Sequence, residues 1–370
     1  MFQAAVLRER WNWVRVWRKP DCPHWLHGGH GCFSLAFQAV WRMSMGASWA
    51  VVATVDEPAP LVAAFVAHHL NEGAREVHLF LDKPDPETVA LIRDMKGCKL
   101  TRCNKDHWAA HNNGTRPYLH TRRQIINANI AYAACRADWL VHCDADEFIR
   151  DGRAMAAELA ETPGERDHLR LRVSERVMLA GVEQTGLFDG VFRQPIVEEP
   201  RRLDAIYHPV EAFLDRGLTG HPNGKGVVRT GRGYRINIHQ PQGDVPSWPI
   251  ISTRLLHFDG LSAFHYLLKL LRRAHEKPLP GPPRHKSGRM AQLTAMKEHM
   301  GDPEFFGALI AGLKTLRPEQ RAALDALGLI EEAPFQPNLG GLALDLGVAG
   351  FDAILRVRQA EFLASIGFEG

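Results

Sequence analysis

Asp144, Asp146 and Glu147 place three carboxylates within four positions, directly after the apolar run that begins at Trp139. In extended chain alternate side chains share a face, so Asp144 and Asp146 point together beyond the end of one strand. That end of an open α/β sheet is where ligands bind. Like charges held this close repel unless a cation lies between them, and oxygen ligands suit a hard ion such as Mn2+ or Mg2+. The competing reading is a solvated loop in which Asp144 caps the next helix. Phe148 and Ile149 oppose it, because apolar sequence resumes at once and brackets the carboxylates with core. His257 is a further residue with metal-binding chemistry. It closes the apolar run 250–256 and precedes an amphipathic stretch at 262–275, where Asp259 is placed to cap a helix.

Positioning these groups requires a particular order of elements. The β-branched run 49–55 reads as a buried strand ending at Asp56 and Glu57. Residues 60–70 have helical spacing and stop at Gly73, and 76–81 forms a second strand ending at Asp82. A helix at 87–95, a strand at 99–103, a longer helix at 118–135 and the strand 139–143 continue the alternation, which implies a mostly parallel sheet with helices on both faces. Thr54, Asp56, Glu57, Asp82 and Asp144 then lie on one sheet edge. The stretch 105–117, with His107, His111, Asn112 and Asn113, reads as a polar surface loop followed by Arg116, Arg122 and Arg123.

Further on, a helix is expected at 153–160 and strands at 169–173, 191–194 and 236–239, the last ending at His239. Lys225 lies between Gly224 and Gly226; this is either a basic hairpin turn or a close backbone approach to a phosphate. A Pro/Gly-rich linker covers 276–288. Helical spacing at 289–299, 305–313, 318–327 and 353–366 forms a small C-terminal helical appendage over 289–370.

The chain has 370 residues, 45% hydrophobic and 24% charged, enough for one large or two modest domains. A net charge of +3 gives no reason to expect nucleic acid as a partner. No apolar run approaches the roughly 20 residues that span a bilayer. Six cysteines without a CxxC pair suit a reducing, cytoplasmic setting, and the expected place is the cytoplasm, with contact at the inner face of a membrane left open. Residues 1–47 form an N-terminal extension, with arginines that interrupt any secretory signal. It holds Cys22, His24, His27, His30 and Cys32, residue types that bind zinc but at spacings unlike a standard finger. Met43 and Met45 are alternative starts for the organised region.

The run from Asp144 to Phe148 resembles the DxDEF motif of family-2-like glycosyltransferases of the GT-A fold. Gln124, Asn127 and Asn129 are similar to that family's Q-x-x-x-Y-N stretch, with the tyrosine moved to Tyr132. The segment 224–229 is similar to its Lys-Ser-Ile-Val-Arg run. His257 with Ser262, Phe264, Leu267, Lys269 and Arg272 is similar to its later INHY and S-x-E-E-F-L-x-K-x-x-R segments. The likeness spans residues 48–275 and implies a GT-A type nucleotide-diphospho-sugar transferase fold. It also implies Mn2+ or Mg2+ held by Asp144, Asp146 and His257, and a nucleotide-sugar donor, UDP-linked, contacted by Asp56, Asp82, Asp144 and Lys225. The acceptor is a saccharide or other hydroxyl, attacked with inversion, and Glu175 is the expected general base. Two rival readings are a haloacid-dehalogenase-like phosphatase and a nucleotide- or sugar-binding protein without turnover. Glu147-Phe148, and a motif so far into the chain, oppose the first.

Overall fold

The computed structural model describes residues 46–197, 201–276 and 287–368. The Cys22/His24/His27/His30/Cys32 group lies outside them. Strands β1 (Trp49–Val55), β2 (Glu76–Leu81), β3 (Cys98–Arg102) and β4 (Trp139–His142) pair in parallel in the order β4-β1-β2-β3. Every residue of β1, β2 and β4 is buried, which explains why these strands read as continuous apolar runs rather than alternating ones. One sheet face, carrying Val51, Ala53 and Leu79, packs on Leu61, Phe65 and Val66 of the Ala59–Asn71 helix. The opposite face, carrying Ala50, Val52 and Phe80, packs on Ala128, Ala131 and Tyr132 of the His120–Ala134 helix.

After β4 the chain changes sheet. Strand β5 (Glu147–Ile149) joins a six-stranded sheet with β7 (Val173–Leu179), β8 (Val191–Arg193), β11 (Leu255–His257), β12 (Thr315–Leu316) and β13 (Ile330–Glu331). Strands β6 (His168–Leu171), β9 (Lys225–Arg229) and β10 (Trp248–Pro249) complete a first sheet of seven, in which β9 runs antiparallel between β4 and β6. The mixed α/β architecture, a central sheet flanked by helices, is the expected one. Its parallel run stops at β4, the crevice-forming position in such sheets.

Several expected elements take another form. Residues 105–117 are not a loop throughout: Lys105–His111 is a helix, capped by the Asn104 side chain and anchored by the buried Trp108. The segment 236–239 does not become a strand, because the Asn129 side chain takes both backbone groups of Ile236, at 2.9 Å to its N–H and 2.8 Å to its carbonyl. The single strand expected at 169–173 is two, β6 and β7, which enter different sheets. The segment around Lys225 is strand rather than turn. The C-terminal region is joined to the second sheet through β12 and β13 rather than appended beside it.

Phe148 is the packing centre beneath the carboxylates. It is fully buried, and its ring lies 5.1 Å from that of Phe188, 5.6 Å from Phe335 and 5.9 Å from Phe65. Cutting such a side chain back to Ala costs about 3–5 kcal/mol. Glu147-Phe148-Ile149 is therefore held as tightly as any strand in the core, and that fixes where Asp146 begins.

Candidate functional site

Strand register builds the site. Strand β11 pairs antiparallel with β5, with His257 opposite Glu147, and the Phe258 N–H continues the ladder by donating to the Asp146 carbonyl at 2.9 Å. Asp146 and His257 are thereby neighbours, with 4.0 Å between Asp146 Oδ2 and His257 Nε2. Asp259 stands two residues beyond His257, and the three side chains bring ligand atoms within 4.8 Å of one another. The Asp259 backbone is held at φ +24°, a region L-residues rarely adopt, and Gly260 follows at φ +94°.

Lys269, from the Ala263–Ala274 helix, lies between the two carboxylates, 2.5 Å from Asp146 Oδ2 and 3.0 Å from Asp259 Oδ1. Arg289 donates to the other Asp259 oxygen at 2.6 Å, and Thr219 Oγ1 donates to it at 2.8 Å. Burial would raise both carboxylates. Lys269, ahead of the His257 ring, outweighs it for Asp146 and Arg289 first for Asp259, and both acids are held below their ordinary range. Two buried anions are thus matched by two half-buried cations. Donor chemistry and spacing fit a hard divalent cation, two carboxylates with one imidazole, at a position where the protein has already placed a positive charge.

Asp144 does not join this group. Its Oδ2 accepts from Lys225 at 2.8 Å and its Oδ1 from Gln124 at 2.5 Å. Lys225 has no exposed surface and also lies 3.1 Å from Glu147. The expected ligand Asp144 and the expected phosphate contact Lys225 therefore neutralise each other. Against burial, Lys225 holds Asp144 well below the usual carboxylate range; burial raises Glu147 to about 7, with Lys225 opposing and Asp144 adding to the rise. Asp144 meets no helix to cap, since β5 follows.

Glu175, the expected base, is enclosed by the fold. It is fully buried on β7, accepts from Arg193 at 2.7 Å and from the backbone N–H groups of Thr219 at 2.9 Å and Gly220 at 2.7 Å. Burial is outweighed by Lys314 and Arg193, and its carboxyl falls to about 2. It is a structural anion that holds the Thr219-Gly220 backbone under His257. A Cβ on Gly220 would meet His257 Cε1 at 2.5 Å.

Asp82, the expected base or ribose contact, is buried and clamped by Arg123 at 2.9 Å and Arg116 at 2.8 Å. Asp56 is ringed by Lys83 at 3.3 Å, Arg272 at 3.4 Å and Arg358 at 3.0 Å. Arg358 comes from the Val348–Arg358 helix, so the C-terminal region reaches the sheet edge and leaves only a cavity of about 20 Å³ among Asp56, Glu57, His265, Lys269 and Arg272. Ser262, not Asp259, caps the Ala263–Ala274 helix, accepting from the His265 N–H at 3.0 Å. The roles of Asp259, Lys269 and Arg289 were not read from the sequence. The available signal was His257-x-Asp259 at a strand end, which puts two ligating side chains on one face by the same alternation as Asp144-x-Asp146.

No protein-family model matches the chain, and no curated protein matches it in sequence. Solved structures similar to it are distant. TarS 1–349 of S. aureus is 12% identical with a TM-score of 0.31, covering 70% of this chain and 74% of that one. Glucosyl-3-phosphoglycerate synthase from Mycobacterium tuberculosis, in complex with Mg2+ and UDP, is 14% identical with a TM-score of 0.26, covering 55% and 62%. GalNAc-T7 with UDP, GalNAc and Mn2+ is 10% identical with a TM-score of 0.30, covering 70% and 57%. Likenesses this distant leave function to the chemistry of the site. Among the described residues no helix is long and apolar enough to cross a membrane.

Proposed function

We propose that this chain is a metal-dependent glycosyltransferase that moves a sugar from a UDP-linked donor to a hydroxyl acceptor, with inversion. One observation carries the reading: Asp146, Asp259 and His257 converge beyond the C-terminal ends of parallel strands, around a position that already attracts a cation. These three residues would hold Mn2+ or Mg2+. When bound, such an ion neutralises the charge that builds on a departing diphosphate.

The chain's own residues position the donor, and the proton of the attacking hydroxyl passes to solvent water. Lys269, released from the carboxylates, offers an ammonium to the diphosphate on the same face. Lys225 and Gln124 keep Asp144 fixed so that the turn into β5 does not move. Asp82 orients Arg116, whose side chain is 40% exposed, toward the nucleotide end of the edge. A phosphatase acting through an aspartyl nucleophile is opposed by the same geometry, because both oxygens of Asp144 are occupied.

Calorimetric titration of UDP, with and without Mn2+, tests the proposal on the wild-type chain and on Asp146→Ala. Mn2+-dependent binding that collapses in the variant supports it, and UDP-sugars should then be turned over. UDP that binds under neither condition removes the donor assignment.

A further inference from the structure

A second group of ligating side chains lies at the opposite sheet edge, away from Asp146. Glu76 is the first residue of β2 and His78 the third. Two residues apart on a strand, they share one face. That face meets the His120–Ala134 helix, whose C-cap residue is Cys135. His78 Nε2 lies 3.0 Å from Glu76 Oε2, and the carboxylate, imidazole and thiol all have ligand atoms within 4.8 Å of one another. Glu76 and His78 are 5% and 6% exposed.

We propose that Glu76, His78 and Cys135 form a binding site for a borderline-soft divalent cation of the zinc type, tying β2 to the end of the helix that packs across the sheet.

The donor set is the first argument. Thiolate, imidazole and carboxylate together suit zinc rather than magnesium or calcium. Ligand atoms on a tetrahedral zinc sit about 3.3–3.7 Å apart, from bonds of about 2.0 Å to nitrogen and oxygen and 2.3 Å to sulfur. The protein also supplies an outer contact, since the Arg136 N–H donates to Glu76 Oε2 at 3.1 Å, which fixes the carboxylate.

Burial lowers His78, with Glu76 opposing and Lys99 adding to the fall; against burial, the Arg136 N–H and His78 hold Glu76 below its ordinary value. Cys135 is pushed up to about 11 by burial, with Glu76 and Asp138 adding to the rise and Arg75 opposing. Binding therefore converts the thiol to a metal-bound thiolate and releases its proton to solvent, and affinity should rise with pH. The site lies far from the chemistry of Asp146, so its role is structural.

Co2+ is the probe, used on the full chain in a Cys22→Ser/Cys32→Ser background so that the N-terminal cysteines cannot contribute. The expected result is a thiolate charge-transfer band in the near ultraviolet that saturates with one equivalent of Co2+ beyond any bound at Asp146, lost in Cys135→Ser and kept in Cys98→Ser. Zn2+ should abolish the band and raise Tm more in the background chain than in Cys135→Ser. If Cys135→Ser does not fold, alkylation of Cys135 in the background chain serves instead, and Zn2+ should slow it at least about tenfold. Absence of the band, its persistence in Cys135→Ser, or alkylation that Zn2+ leaves unchanged overturns the site.

Discussion

Replacing Lys269 by Met should make the chain bind Mn2+ more tightly when no nucleotide is present. Lys269 Nζ stands 2.5 Å from Asp146 and 3.0 Å from Asp259, so a metal entering between these carboxylates must first displace an ammonium. Methionine keeps the length of the side chain and removes the charge. Asp259 retains Arg289 at 2.6 Å and Thr219, which leaves one buried carboxylate, Asp146, uncompensated. Removing one partner of a buried pair costs about 3–5 kcal/mol, and the lower end applies because half of the pairing survives. A cation that refills the gap recovers about 3 kcal/mol, or about 100-fold in Kd. The variant without metal should lose a similar amount of stability and regain it with Mn2+. Calorimetry with Mn2+ alone reads the first effect and urea unfolding with and without Mn2+ the second. A further signature is coupling: in the wild-type chain UDP should strengthen Mn2+ binding by giving Lys269 another anion, and in Lys269→Met that linkage should shrink. Equal or weaker Mn2+ binding by the variant would refute the idea that Lys269 and the metal compete for one position.

Gly220→Ala should weaken Mn2+ binding at least about tenfold, because the new Cβ meets the His257 ring at 2.5 Å and must turn it away from Asp146; calorimetry on the folded variant decides it. Arg193→Met should cost about 3–5 kcal/mol in urea unfolding, since Glu175 would keep its charge in a fully buried place, and adding Glu175→Gln should recover much of the loss. His142 is buried with its Nε2 unpartnered, and burial, helped by Lys225, lowers it from 6.5 to about 4. A histidine depressed on folding contributes stability that is full above its unfolded value and lost as pH falls toward the folded one. Between about pH 6.5 and 4 this group should withdraw about 3 kcal/mol. His142→Gln should show a correspondingly shallower loss of stability over that window, and an unchanged slope contradicts the assignment.

The parallel half of the fold was legible because it is buried on both faces, and β1 and β2 begin and end where the apolar runs do. Hydrophobic spacing failed where a side chain replaced a backbone partner. Ile236 has the composition of a strand, yet Asn129 satisfies its N–H and carbonyl from a helix 107 positions earlier. The 105–111 segment looked like a loop because its polar residues hid two anchors, the Asn104 cap and the Trp108 indole, which donates to the Cys103 carbonyl at 3.1 Å. At the site, the acidic cluster announced itself, but which acids are free and which are neutralised depends on strand register and on cations brought from β9 and the Ala263–Ala274 helix. Lys225 lies 81 positions from Asp144, and Lys269 lies 123 from Asp146. Charge pairing over such separations has no local signature, so the sequence does not show that Asp144 and Glu175 are each held by a distant cation.

The contact between Asp56 and Arg358 joins positions 302 residues apart. At a synthesis rate of about 5–20 residues per second, the ribosome needs roughly 15–60 s to travel from one to the other. Throughout that interval β1 can be complete while Asp56 at its end waits for the guanidinium that will cover it. A nascent chain therefore holds Asp56 with Lys83 and later Arg272 beside it, but with the last of its three cations missing, for far longer than the folding of a single βαβ unit requires.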